Sequence, residues 1–157
     1  MKSDTIAAIA TALSDAGIGI IRISGPEAIA VANRVVGKKK KEHTLKNWQT
    51  HTIHYGFVEE NGTILDEVMV SVMKAPRSYT TEDTVEINCH GGVLLTKRVL
   101  EAVLHAGARM AEPGEFTKRA FLSGRIDLSE AEAVMDLIQA KNQFSMQASI
   151  KQLRGSV

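Results

Sequence analysis

The dipeptide Asn61-Gly62 constrains this chain more than any other short feature. It stands between two β-rich runs, His51 to Val58 and Ile64 to Met73, with Glu59 and Glu60 leading into it. A two-residue hairpin turn needs positive φ at both central positions to match the twist of the strands it joins. Asn followed by Gly tolerates that best. An antiparallel hairpin is therefore expected here.

Upstream, Thr5 to Leu13 reads as a strand, Ser14-Asp15-Ala16-Gly17 as a turn and Gly19 to Ser24 as a second strand. Strand alternation puts Arg22 on the face opposite Ile21 and Ile23. Taken alone, that describes a solvent-facing arginine on a half-buried strand. Ser24-Gly25-Pro26-Glu27 is a helix start, with Pro26 suited to the first turn and Glu27 complementing the dipole; the helix runs through Val31 and Val35 to near Gly37. Lys38 to Lys41, with Glu42 beside them, read as a solvated loop rather than an anion patch.

Downstream of the hairpin, the polar loop Lys74 to Asp83 feeds a strand from Thr84 to Cys89. His90-Gly91-Gly92 then opens a helix from Val93 to His105, stopped at Gly107, and Ala108 to Ala111 is a short strand. Pro113-Gly114 turns the chain into a short helix led by Glu115, Phe116 and Thr117, which ends at Ser123-Gly124. Ser129 is placed to N-cap a long helix, with Glu132 at capping-box spacing. Ala133, Val134, Leu137, Ile138 and Ala140 give that helix an apolar stripe. With no second helix to pack on, the stripe points to truncation, a partner subunit or the sheet. This order of elements indicates an α+β fold with a mainly antiparallel sheet and packed helices.

Composition narrows the function classes. At 44% hydrophobic and 24% charged residues the chain reads as a soluble globular protein, and at 4% aromatics its core must be aliphatic. A net charge of +1 neither favours nor excludes a polyanion. The single cysteine, Cys89, excludes an internal disulfide and a thiolate cluster. Adjacent strand residues face opposite ways, so Cys89 and His90 form no nucleophile–base pair, and Cys89 reads as buried packing. His51 and His54 lack partners at metal-ligand spacing, and no metal site is expected. Neither GxxxxGK[ST] nor GxGxxG occurs. No signal peptide or membrane span is visible, so a cytoplasmic location is expected.

Three residues stand out for chemistry. Glu86, between Val85 and Ile87, projects to the face those residues avoid. It would offer two acceptor oxygens to a guanidinium or an aminopyrimidine edge, or else be a surface glutamate. Arg22 is the strand cation already noted. Arg125 sits in the joint between two helices, where a ligand can be met from a rigid scaffold. His90-Gly91-Gly92 could present backbone N–H groups to an anion, although a tight strand-to-helix turn uses the same residues.

Four blocks together carry a resemblance: DTIAAIAT, GIGIIRISGPEA, KAPRSYTTEDTVEINCHGG and AEPGEFTKRAFLSGRIDLSEAEAVMDLI, with HTIHYGFV before the last two. In order and spacing they resemble the N-terminal region of the tRNA uridine-5-carboxymethylaminomethyl modification GTPases, the MnmE/TrmE family, in Bacillus-like wording. The resemblance implies a dimer-forming, folate-binding domain similar to that of the aminomethyltransferases, over residues 1–122. Residues 123–157 would begin a helical domain, truncated before the GTPase domain. Arg22, Glu86 and Arg125 fall on the family's positions that contact a tetrahydrofolate derivative, 5-formyl- or 5,10-methylene-tetrahydrofolate. The resemblance further implies a homodimer, a flavin-dependent partner subunit (the MnmG/GidA family) and tRNA as the substrate of the complex. GTP, magnesium and potassium would bind only in the full-length protein, so the chain alone is expected to hydrolyse no GTP. A stand-alone aminomethyltransferase-like enzyme and a dimerisation module without ligand are the other readings. Departures from the family pattern are a glycine-poor Leu13 to Gly17, Thr81 where Gly is common, Ser123 where Asn is common, and Arg125 for a lysine.

Overall fold

The computed structural model describes residues 4–12, 17–37 and 45–140. The expected turn at Ser14-Asp15-Ala16 and the lysine run Lys38 to Lys41 lie outside the described residues. The chain divides into two compact units, Met1–Ala111 and Glu112–Val157.

The first unit holds strands β1 (Ile6–Ile9), β2 (Gly19–Ser24), β3 (Thr52–Glu60), β4 (Thr63–Met73), β5 (Thr84–Cys89) and β6 (Arg109–Met110), with helices α1 (Ala28–Val35) and α2 (Gly92–His105). The strands form one sheet in the order β3-β4-β5-β2-β1-β6. Only the β1–β6 pair is parallel; the others are antiparallel. This is the expected α+β fold with a mainly antiparallel sheet. At the hairpin, Asn61 and Gly62 take φ of 51° and 80°, the left-handed pair that a two-residue turn demands.

One sheet face is dry. Ala7, Ile21, Ile23, Val68, Val70, Val72, Val85, Ile87 and Cys89 all point into it and are fully buried. They meet Ala28, Val31, Ala32 and Val35 of α1, and Val99, Leu100, Ala102 and Val103 of α2. Burying each large side chain contributes about 1.5–3 kcal/mol, which fixes the register, because a one-residue slip would turn every one of them to water. Gly19 is needed where α2 approaches β2, since a Cβ there would collide with the Thr96 side chain.

Some element bounds of the first unit differ from expectation, and three of the differences have a local cause. β1 ends at Ile9 because the hydroxyl of Thr11, not a backbone carbonyl, accepts the Ile20 N–H at 3.1 Å. Helix α1 begins at Ala28 rather than Pro26, because the Thr5 hydroxyl takes the Glu27 N–H at 2.8 Å and leaves Glu27 as the cap. His51 is a turn residue at φ 63°, so β3 starts one residue later than expected.

In the described part of the second unit, α3 (Glu115–Leu122) is followed by helical residues 128–140. The cap of that second helix is Asp127, not Ser129. Asp127 Oδ1 accepts the Glu130 N–H at 2.7 Å, and Glu130 Oε1 accepts the Asp127 N–H at 3.4 Å. A capping box is present, shifted two residues toward the N-terminus. The helix meets α3 through residues outside the expected stripe: Gly114, the cap of α3, is so close to Met135 that any Cβ would strike its sulfur. Ala131 is buried, while Leu137 remains 71% exposed.

Candidate functional site

Antiparallel pairing of β2 with β5 sets Arg22 directly opposite Glu86. On the other side of Glu86 lies Ser71 of β4, and beyond Arg22 lies Ala8 of β1, so one row of side chains crosses the open face of the sheet. Arg22 Nη2 stands 3.4 Å from Glu86 Oε2, with the two side chains 31% and 25% exposed. An ion pair this open to solvent adds at most about 1 kcal/mol to stability. What it does supply is a carboxylate held in place on a sheet face with solvent access, whose Oε1 remains for an incoming donor.

The rows on either side differ in character. Ile20, Asn88, Met69 and Tyr55 form the row toward one end and are at least partly exposed. Toward the other end lie Ser24 and Thr84, both buried under the loop of residues 74–83. Within that loop Thr80 and Glu82 reach the Ser24 hydroxyl at 2.7 and 3.0 Å. Sequence reading missed these contacts. The one signal was a polar loop longer than a connector needs, running straight into the strand of Glu86.

Arg125 belongs to the second unit. It is exposed, and its backbone N–H reaches Ala120 O at 2.9 Å to close the C-terminal turn of α3. That bond, with the left-handed Gly124 before it (φ 82°), is how a helix ends in a Schellman-type turn. The second unit also carries an apolar groove of about 350 Å³ between α3 and helical residues 128–136, lined by Thr117, Phe121, Leu128, Ala131 and Met135.

One expected chemistry takes a different form, and the expected burial of Cys89 holds. The N–H groups of His90 and Gly91 are not offered to an outside anion, because Asp66 Oδ2 accepts both, at 2.9 and 3.1 Å. A built-in carboxylate thus stands where an anion would sit at the start of α2. Cys89 is fully buried, and its thiol is pushed up to about 12 by burial and by the Asp66 charge, against a hydrogen bond from Thr96. It is a packed thiol with no nucleophilic character near neutral pH. His54 stacks on Trp48 with ring centroids 3.7 Å apart and bonds to the Thr52 hydroxyl. Among the described residues no three His, Cys, Asp or Glu side chains gather as metal ligands, and no helix is long and apolar enough to cross a membrane.

Comparison with known proteins matches residues 5–125 to the family described as GTP-binding protein TrmE N-terminus. A tRNA modification GTPase MnmE of Lachnoclostridium phytofermentans is 61% identical over 157 residues, which is all of this chain and 34% of that protein. The protein of the same name from Listeria welshimeri is 56% identical over the same span. The one from Bacillus subtilis is 54% identical over 154 residues, 97% of this chain and 33% of its own length. The chain thus spans about a third of the curated relatives it matches.

Proposed function

The chain belongs to the family of the GTP-binding protein TrmE N-terminus, and from that premise we propose that it binds a reduced folate and pairs with a second copy, as part of a cytoplasmic protein that modifies tRNA. The observation that carries the folate reading is the Arg22–Glu86 pair on the open sheet face. A pterin presents an amino-substituted pyrimidine edge, and a fixed carboxylate with one oxygen to spare suits it. When bound, the folate supplies a one-carbon unit.

The pairing also divides the labour. Arg22 and Glu86 share one row, so they cannot serve the opposite ends of an extended ligand. Glu86 receives the pterin edge, and Arg22 orients Glu86. Arg125 enters the proposal as a ligand contact by resemblance alone. On this reading residues 1–122 carry binding and dimerisation, and 123–157 begin a helical domain. GTP hydrolysis with magnesium and potassium, and work on tRNA with a flavin-dependent partner, are proposed for the longer protein. Pairing with a second copy is supported by β3, an edge strand whose Ile53, Tyr55 and Phe57 are 61%, 67% and 42% exposed.

Calorimetric titration with 5-formyltetrahydrofolate tests the reading. Saturable binding near one ligand per chain is expected, with Glu86→Ala weakening it about tenfold or more and leaving the unfolding midpoint in place. No binding by the wild-type chain would remove the folate assignment. Light scattering on the same samples should report a dimer mass, and a monomer would remove the pairing.

A further inference from the structure

Ser24 and Thr84 face the same side of the sheet as Arg22 and Glu86, one row further along. Yet Ser24 is 0% and Thr84 3% exposed, whereas Arg22 and Glu86 keep about a third and a quarter of their side-chain surface open. The loop of residues 74–83 folds back over the first row and stops short of the second. Its hold on the sheet can be followed proton by proton. Ser24 Oγ donates to the Glu82 carboxylate at 3.0 Å, which uses its only hydrogen. At the 2.7 Å contact between the hydroxyls, Thr80 must therefore donate to Ser24. The Thr80 oxygen in turn accepts the Glu82 backbone N–H at 3.3 Å. Donors and acceptors close into a ring of three, and each bond sets the direction of the next. The hydroxyls of Ser78 and Thr84 both donate to the Glu82 carbonyl and tighten the same turn.

A fully buried hydroxyl, a threonine at 1% exposure and a carboxylate form a large polar investment for a surface loop. A plain connector does not need it. The ring also holds Thr81, a β-branched residue, at φ 65°, which such a side chain adopts only when its surroundings impose it.

We infer that Ser24, Thr80 and Glu82 are positioning residues. Their ring fixes loop residues 78–82 as a wall beside the Arg22–Glu86 pair, and so sets the geometry in which that pair meets its ligand. The identity of the ligand rests on the folate reading; the coupling of the ring to the pair does not.

Thr80→Val keeps the shape and deletes the hydroxyl, breaking two of the three ring bonds, while Thr80→Ser retains the hydroxyl. Titration with 5-formyltetrahydrofolate is expected to show about tenfold or greater weakening in Thr80→Val and recovery to within about threefold in Thr80→Ser. In the ligand-free chain, the Arg22 Nε–H resonance, assigned by its loss in Arg22→Lys, is expected to shift in Thr80→Val and return in Thr80→Ser. A resonance that stays in place overturns the inference whether or not folate binds. A wild-type chain that takes up no folate removes the folate reading and leaves the resonance to decide the ring. If Thr80→Val does not fold, Ser24→Ala, which deletes the other hydroxyl and also breaks two of the three ring bonds, is read the same way.

Discussion

Strand β5 serves two surfaces with alternate residues. Val85, Ile87 and Cys89 turn to the helices and are fully buried, while Glu86 and Asn88 turn to the open face and stay partly exposed. The same division runs through β2, where Ile21 and Ile23 face inward and Arg22 outward. The inner face answers to volume and dryness. On β2 and β5 its side chains are Ile21, Ile23, Val85, Ile87 and Cys89, and α1 and α2 complete its packing. The outer face is mixed, with a row of charge set between a hydroxyl-lined row and the row of Ile20, Asn88, Met69 and Tyr55. Neighbouring residues therefore ought to fail in different ways: one by unfolding the protein, the next by silencing a folded one.

The sharpest way to break that contrast is Ile87→Ala, one position from Glu86 and on the other face. It leaves a cavity in the dry layer and should cost about 3 kcal/mol in denaturant unfolding, while the fraction still folded keeps its folate affinity. Weaker binding without lost stability would mean that the two faces are not separable. Cys89 gives a milder test of the same dryness. Its thiol is raised to about 12 in the folded chain, from an ordinary value of 9.0. Below about pH 9 both states hold the proton and the group adds no pH dependence. Between about pH 9 and 12 only the unfolded state releases it, so stability falls as pH rises. Urea midpoints at pH 8 and pH 10.5 should reveal that fall in the wild type, and Cys89→Ala should remove this part of it.

Much of the inner face was legible in the sequence, because alternation and helical period are local signals. The strands Gly19 to Ser24 and Thr84 to Cys89 were placed to the residue, as was the Asn61-Gly62 turn. The same alternation assigned Arg22 and Glu86 to the outer face. It could not pair them, because β2 and β5 are joined by register across 64 residues of chain, with a hairpin and a helix between. The ring was hidden for the same reason: Ser24 and Thr80 lie 56 residues apart, and nothing near either names the other. Asp66 answers the α2 N-terminus from 24 residues away, so a local motif that looked like an anion site had its anion supplied from the hairpin. The Asp127 cap is a different failure. Asp127 and Ser129 are equally good caps in isolation, and the choice fell to the first because Asp127 and Glu130 satisfy each other's backbone N–H groups.

Thr81 gives the smallest expected effect and the finest cut between the faces. It sits at φ 65° in the loop that walls the outer face, in a region that costs an L residue about 1–2 kcal/mol. Glycine carries no such cost folded, but it is more flexible unfolded, which returns about 0.5–1 kcal/mol. Thr81→Gly should therefore raise stability by somewhat under 1 kcal/mol in denaturant titration. The resemblance agrees, since glycine is common at this position in the family. Folate affinity should be unchanged, because the bonds of Ser24, Thr80 and Glu82 hold the wall, and the strain at Thr81 is their consequence. If the glycine variant is more stable but binds less well, the strain itself shapes the wall, and the outer face would then depend on backbone tension as well as on hydroxyls and charge.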